Sequence, residues 1–284
     1  MPDRPSCKSP LTHPADEMPI DCRTYGTGPT MLVVLHGGPG APGDLSPLAQ
    51  RLGERYTVLE PLQRRSGGAP LTVARHVQDL ELLLAERCSD ARPIVLGHSW
   101  GAMLALAHGA AHPTRAAGLV LVSCGTFDKA SRAELTARRE AGLDADMRER
   151  MEAVQRDITD ADERLAAMGC LFTEADGVDL IHKPTPLKGC DGRGNSETWA
   201  DMIHCQESGL YPAAFSAIKA PVLMLHGEQD VHPGALTRAG LEPHLPQLQY
   251  VEWPRCGHSP WLERDVVEPF FATLHDWVAG HVVD

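Results

Sequence analysis

The sequence predicts an α/β fold, a mostly parallel central sheet with helices on both faces. Three observations carry the prediction. Short, unbroken apolar runs recur along the chain, each bounded by Gly, Pro or polar residues. A strand covered by helices on both sides loses the apolar–polar alternation of a half-exposed sheet, so such runs mark buried parallel strands. Between the runs lie longer segments with apolar residues at helical spacing, the alternation that builds strand–helix–strand units. One segment, 127–215, breaks the alternation and predicts a mainly helical cap inserted into the core.

The elements follow in order. Residues 1–19 are rich in Pro and polar side chains and read as a loose arm outside the core. Met31-Leu32-Val33-Val34-Leu35 is the first buried strand, and Thr57-Val58-Leu59-Glu60 a weaker second. Residues 72–87 carry Val73, Val77, Leu80, Leu83 and Leu84 on one helical face, with Thr72 as N-cap. Pro93-Ile94-Val95-Leu96-Gly97 is the next strand, followed by a small-residue helix over 102–111. Gly118-Leu119-Val120-Leu121-Val122-Ser123 and Pro221-Val222-Leu223-Met224-Leu225 are two more buried strands. Leu248-Gln249-Tyr250-Val251-Glu252-Trp253 alternates, as an edge strand does. A last helix is expected over 264–280, with Val267, Phe270, Phe271, Leu274 and Val278 on one face. Within the cap, helices are expected over 130–141, 146–158 and 161–168, then an irregular Gly/Pro-rich stretch over 182–196. The core is thus 20–126 together with 216–284.

Composition narrows the function. Lys and Arg number 26 against 38 Asp and Glu, a formal charge of −12, and no basic block interrupts the acidity. A chain so charged repels the phosphate backbone, so nucleic acid is not an expected partner. The N-terminus lacks the basic start and apolar run of a secretory signal, and no apolar run approaches the ~20 residues a membrane span needs. A cytoplasmic protein with a small-molecule or short-peptide substrate, and no membrane partner, is expected. The 8 cysteines form no C-x-x-C pair and read as free thiols. Cys190 with His182, His204 and Cys205 matches no zinc spacing, so neither metal nor cofactor is expected.

Gly97-His98-Ser99-Trp100-Gly101 is the decisive motif. It lies between a buried strand and an Ala-rich helix, where G-x-S-x-G forms a sharp turn that projects the serine hydroxyl. Tight packing around that turn leaves no room for side chains two positions to either side. Ser99 is therefore the expected nucleophile. Attack on a carbonyl builds charge on its oxygen, which backbone N–H donors must stabilise. The residue after the nucleophile, Trp100, supplies one donor. Gly38, in the turn His36-Gly37-Gly38-Pro39-Gly40, is the choice for the second. Acid and base should follow in that order for this arrangement. In His226-Gly227-Glu228-Gln229-Asp230, Asp230 is the preferred acid and Glu228 the alternative; in Arg255-Cys256-Gly257-His258-Ser259, His258 is the base.

With those residues in place, the chain resembles the prolyl iminopeptidase branch of the α/β hydrolases. The resemblance rests on His36-Gly37-Gly38-Pro39-Gly40, Ser99-Trp100-Gly101, Gly227-x-x-Asp230 and Gly257-His258. Of the family's stretch after its fourth strand, Gln63 and Arg64 are recognisable. The resemblance implies the α/β-hydrolase fold and cofactor-free removal of an N-terminal residue, typically proline, from short peptides. An aminopeptidase needs carboxylates for the substrate's α-amine, and Glu207, with Glu197 and Asp201 behind it, is the candidate. Trp100, Trp261, Leu171, Phe172 and Tyr211 could line an acyl pocket. A small-molecule carboxylesterase remains open, as does a ligand-binding relative without catalysis.

Overall fold

The computed structural model describes residues 19–281 apart from 44 and 90, so the expected N-terminal arm lies almost wholly outside the described residues. Seven strands form one sheet: β1 (Cys22–Tyr25), β2 (Met31–Leu35), β3 (Thr57–Pro61), β4 (Ile94–His98), β5 (Gly118–Val122), β6 (Val222–Gly227) and β7 (Leu248–Trp253). Their order is β1-β3-β2-β4-β5-β6-β7, and only β1, against β3, runs antiparallel. The helices are α1 (Ser46–Leu52), α2 (Val73–Arg87), α3 (Trp100–Ala111), α4 (Lys129–Gly142), α5 (Ala145–Asp157), α6 (Ala161–Ala175), α7 (Gly192–Glu207), α8 (Gly234–Leu241) and α9 (Val267–His281).

The unbroken apolar strands divide by residue parity, because successive side chains point to opposite faces. Val33, Leu35, Val95, Leu119, Leu121, Val222 and Met224 join α2 and α3 in one cluster. Leu32, Val34, Ile94, Leu96, Val120, Val122, Leu223 and Leu225 pack on the other face against Leu48 and Leu52 of α1 and Phe270, Phe271, Leu274 and Val278 of α9. Burying each such side chain is worth ~1.5–3 kcal/mol, and the two layers clamp β4 at the centre. An aspartate at Val120, which is fully buried, would place an unpaired carboxylate in that layer and break it.

Four elements were not expected. β1 is a four-residue edge strand with a mixed burial pattern, formed by pairing alone. α1 and α8 are short, at seven and eight residues. α7 starts inside the stretch read as irregular. Its first turn holds Gly192 and Gly194, and a Cβ at Gly192 would lie 2.5 Å from the Ala161 carbonyl oxygen. Gly192 therefore marks close packing on α6 rather than a loop, and a Cβ at Gly194 would lie 2.5 Å from Asp191 Oδ2, the cap of the helix. The Asp191 side chain caps this helix by accepting from the Gly194 N–H at 2.9 Å. Thr72 caps α2 as expected, accepting from the Arg75 N–H at 3.1 Å.

α4 to α7 lie between β5 and β6. Met147, Met151 and Leu171 form a small apolar cluster of their own there, separate from the two clusters on the sheet. The start of α7 docks this segment onto the carboxyl edge of the sheet. The Asp191 N–H donates to the Gly40 carbonyl at 2.7 Å and the Asn195 side-chain amide to the Pro39 carbonyl at 2.7 Å. A Cβ at Gly40 would lie 2.3 Å from the Asp191 carbonyl oxygen, so the contact needs glycine.

Candidate active site

β4 ends in the expected turn. Ser99 has φ 53° and ψ −115°, one of three non-glycine residues with positive φ among those described. Such a backbone costs ~1–3 kcal/mol, and the surrounding structure must hold it. It does so by close packing. A Cβ at Gly97 would lie 2.1 Å from the Gly101 carbonyl oxygen, and one at Gly101 would lie 2.0 Å from that of Leu35. The Ser99 N–H donates to the Val122 carbonyl at 2.9 Å, pinning the turn to β5. His98 and Trp100 are buried and Ser99 is partly exposed, so the serine alone faces outward.

Asp230 and His258 come together from the loops after β6 and β7. His258 Nδ1 is 2.9 Å from Asp230 Oδ2 and 3.0 Å from Oδ1. His98, next to Ser99, reaches the same loop: its Nε2 is 3.0 Å from the His258 carbonyl and the two rings are 4.7 Å apart. The strand ends thus bring residues 98–99, 230 and 258 to one edge of the sheet. The glycines explain themselves again, since a Cβ at Gly227 would lie 2.2 Å from the Cys256 carbonyl oxygen and one at Gly257 2.1 Å from that of Asp176.

Burial pushes the His258 imidazole down to about 4, against the pull of Asp230. For Asp230, burial alone would raise the carboxyl, but His258, His232 and His226 outweigh it and hold it well below the usual carboxylate range. At neutral pH the pair is a neutral imidazole beside a carboxylate, the arrangement a general base requires. Glu263, fully buried, organises the His258 loop without touching the pair. It accepts from the N–H groups of Val178 (2.9 Å), Asp179 (2.7 Å) and Gly257 (3.1 Å). No motif pointed to Glu263; a lone acid four residues before the terminal helix α9 carries no signal.

The Gly-rich turn packs against the elbow. A Cβ at Gly37 would lie 3.2 Å from Ser99 Cβ, and Gly38 follows with φ +40°. Trp100 opens α3, where backbone N–H groups have no carbonyl four residues back and point outward. Gln63 ties the two together. Its side-chain amide donates to the His36 carbonyl at 3.0 Å, its oxygen accepts from Trp100 Nε1 at 2.7 Å, and its backbone N–H reaches His36 Nε2 at 3.2 Å. Beside it, Arg64 forms a fork with buried Asp79 at 2.7 and 2.8 Å.

A sequence model of the alpha/beta hydrolase family matches residues 32–269. The chain belongs to that family. A pimeloyl-[acyl-carrier protein] methyl ester esterase of Nitrosomonas europaea is 26% identical over 246 residues, 86% of this chain and 94% of that one. Among solved structures, a thermophilic esterase from Thermogutta terrifontis is similar at TM-score 0.62 and 19% identity, covering 93% of this chain and 94% of that chain. A monoacylglycerol lipase from Paleococcus ferrophilus gives 0.60 and 17%, covering 93% and 100%. At these identities the structural likenesses speak for the fold.

Within this α/β hydrolase the expected substrate residues separate. Glu197 Oε2 accepts from the Leu71 N–H at 2.9 Å and Asp201 Oδ2 from the Val73 N–H at 2.7 Å. Both carboxylates are therefore engaged with backbone N–H groups at the start of α2. Glu207 ends α7 and is exposed. Tyr211 is buried and stacks on Phe215 at 5.0 Å. Trp261 is buried and meets His98 edge-on at 4.6 Å. Trp100 is fully buried, edge-on to His76 and Trp199. Of the aromatic residues expected to line a pocket, Trp100, Trp261 and Tyr211 are thus packed among other side chains, while Phe172 is partly exposed under Arg139. A cavity of about 440 Å³ reaches Gln63 between Arg23, Arg64, Arg65 and Lys188.

Among the described residues Cys22, Cys88, Cys124, Cys170, Cys205 and Cys256 are free thiols, as expected. Among the described residues the Cys190, His182, His204 and Cys205 set does not converge. Glu81, His108 and His112 do, between α2 and α3, away from the strand ends. No helix among the described residues is long and apolar enough to cross a membrane.

Proposed function

We propose that this α/β hydrolase cleaves carboxylic esters through an acyl-enzyme on Ser99. The single observation that carries the reading is the His258–Asp230 contact of 2.9 Å at the strand edge where the strained Ser99 turn stands. Ser99 Oγ attacks the ester carbonyl carbon while His258 Nε2 takes its proton; Asp230 holds the imidazole by Nδ1 and stabilises the imidazolium. The carbonyl oxygen becomes an oxyanion facing the N–H groups of Gly38 and Trp100, each worth ~3 kcal/mol of barrier. Collapse expels the alcohol, which takes the proton from His258. Water, deprotonated by the same imidazole, then releases the acid and restores Ser99.

An ester is preferred to an N-terminal proline amide because two of the three carboxylates available for an α-amine are engaged at the start of α2. The Nitrosomonas europaea relative, named for a methyl ester, supports the same choice. The insertion that docks on the Gly-rich turn would then act as a cap over the acyl group, and the enzyme would work in the cytoplasm on small molecules.

The test pairs p-nitrophenyl acetate with proline p-nitroanilide, alongside fluorophosphonate labelling of wild type, Ser99→Ala and His258→Ala. Ester turnover without amide turnover, and labelling lost in Ser99→Ala, are expected. Labelling that survives Ser99→Ala would remove Ser99 as nucleophile; faster amide turnover would restore the aminopeptidase.

A further inference from the structure

Asp230 holds more imidazoles than the proposed reaction uses. His232, two residues on, brings Nδ1 to 3.2 Å from Asp230 Oδ1, and its backbone N–H donates to the same oxygen at 2.9 Å. Its ring lies over that of His258, with centroids 4.4 Å apart and planes 18° from parallel. Beneath, buried His226 brings Nε2 to 3.2 Å from Oδ2 and 3.0 Å from the His232 carbonyl. The carboxylate is therefore divided among three rings, one of which is stacked on the base.

We propose that His232 is a positioning residue that holds the His258 ring in its working plane and shares its carboxylate, extending ester hydrolysis into acid solution. The inference rests on the triad reading above.

Two effects act in the same direction. A flat ring in van der Waals contact restricts rotation of the His258 side chain, fixing Nε2 toward Ser99. Two stacked imidazoles cannot both carry charge without strong repulsion, and a carboxylate shared between donors attracts each proton less. The surroundings add to this. Facing the pair are Asp230 and His226 from β6 and its loop, His98 from β4, and Arg139 of α4, which is itself paired with Asp176 at 2.6 Å. Glu252 of β7 acts on His226. Burial lowers both His258 and His232, Asp230 opposes it, and His232 pushes His258 further down. A lone His258 on Asp230 would take up its proton at higher pH and stop serving as base sooner.

Two variants separate the effects. His232→Phe keeps the stacked ring and removes the donor; His232→Asn keeps a donor near the Nδ1 position and removes the ring. Each is measured for kcat/KM on p-nitrophenyl acetate between pH 4.5 and 8, and for the His258 imidazole titration by NMR. Wild type is expected to keep most of its pH 8 activity at pH 5, whereas both variants lose about fivefold over the same interval. His232→Asn should lose more kcat at pH 8 than His232→Phe, because only the ring fixes the plane. The His258 titration should move upward in both. An unmoved titration, with kcat/KM scaled equally at every pH, would reduce His232 to packing and overturn the proposal while leaving the triad intact. A moved titration in an enzyme inert toward esters would overturn the triad reading, and with it any role for His232 in this reaction.

Discussion

Two histidines in this molecule, one fully and one largely buried, share a chemistry and differ in setting. His258 meets Asp230 at 2.9 Å on loops at the carboxyl edge of the sheet; His108 meets Glu81 at 2.9 Å between α3 and α2. Burial pushes both imidazoles down to about 4. The difference lies around them. Asp230 is fully buried and Glu81 partly exposed, with Arg115 at 3.5 Å from its other oxygen. His258 has the strained Ser99 turn beside it, bridged by His98, while His108 sits in the last turn of α3. A shifted imidazole thus marks burial, and only the neighbouring strand ends make it a site.

The sharpest way to break this comparison is Asp230→Asn. It keeps the shape and loses the charge, so kcat should fall about 10⁴-fold; ester kinetics with a loss below tenfold would remove Asp230 from the reaction. Gln63→Leu comes next. It unties the Gly-rich turn from Trp100 and should lower kcat ~10- to 100-fold with KM little changed, since small misplacements of the proposed oxyanion donors are costly. A KM effect alone would assign Gln63 to substrate binding.

Stability should respond at both pairs alike. His258, His108 and His76 each sit at about 4 in the folded chain against an ordinary 6.5, with burial the leading cause. The unfolded chain then binds more protons between those values, so stability is full above 6.5 and is lost as pH falls toward 4. The thermal midpoint should drop by several degrees over that window; a flat midpoint would mean these rings are not held neutral. The smallest effect belongs to Glu81→Gln, about 1 kcal/mol in urea unfolding with kcat/KM within twofold. A clear loss of activity there would erase the distinction between the two pairs.

Much of the fold was legible because buried parallel strands leave unbroken apolar runs. β2, β4, β5 and β6 fall on such runs, and edge strand β7 on an alternating one. β1 was not legible, since four residues paired at an edge carry no pattern of their own. α7 was missed for a different reason: Gly192 and Gly194 look like loop residues until α6 is seen pressed against the first and the capping Asp191 side chain against the second. In the site, glycines 97, 101, 227 and 257 were readable because backbone contacts near 2 Å admit no side chain.

By itself, then, the sequence determined the α/β class and the placement of Ser99, Asp230 and His258 after β4, β6 and β7, because alternating strands and helices force those strand ends onto one edge. The tertiary structure alone decided which carboxylates were committed elsewhere, with Glu197 and Asp201 on α2 and Glu263 on the His258 loop. It alone also laid His232 on His258. Those are contacts between residues far apart in the chain, or ring orientations set by packing, and no local spacing encodes them.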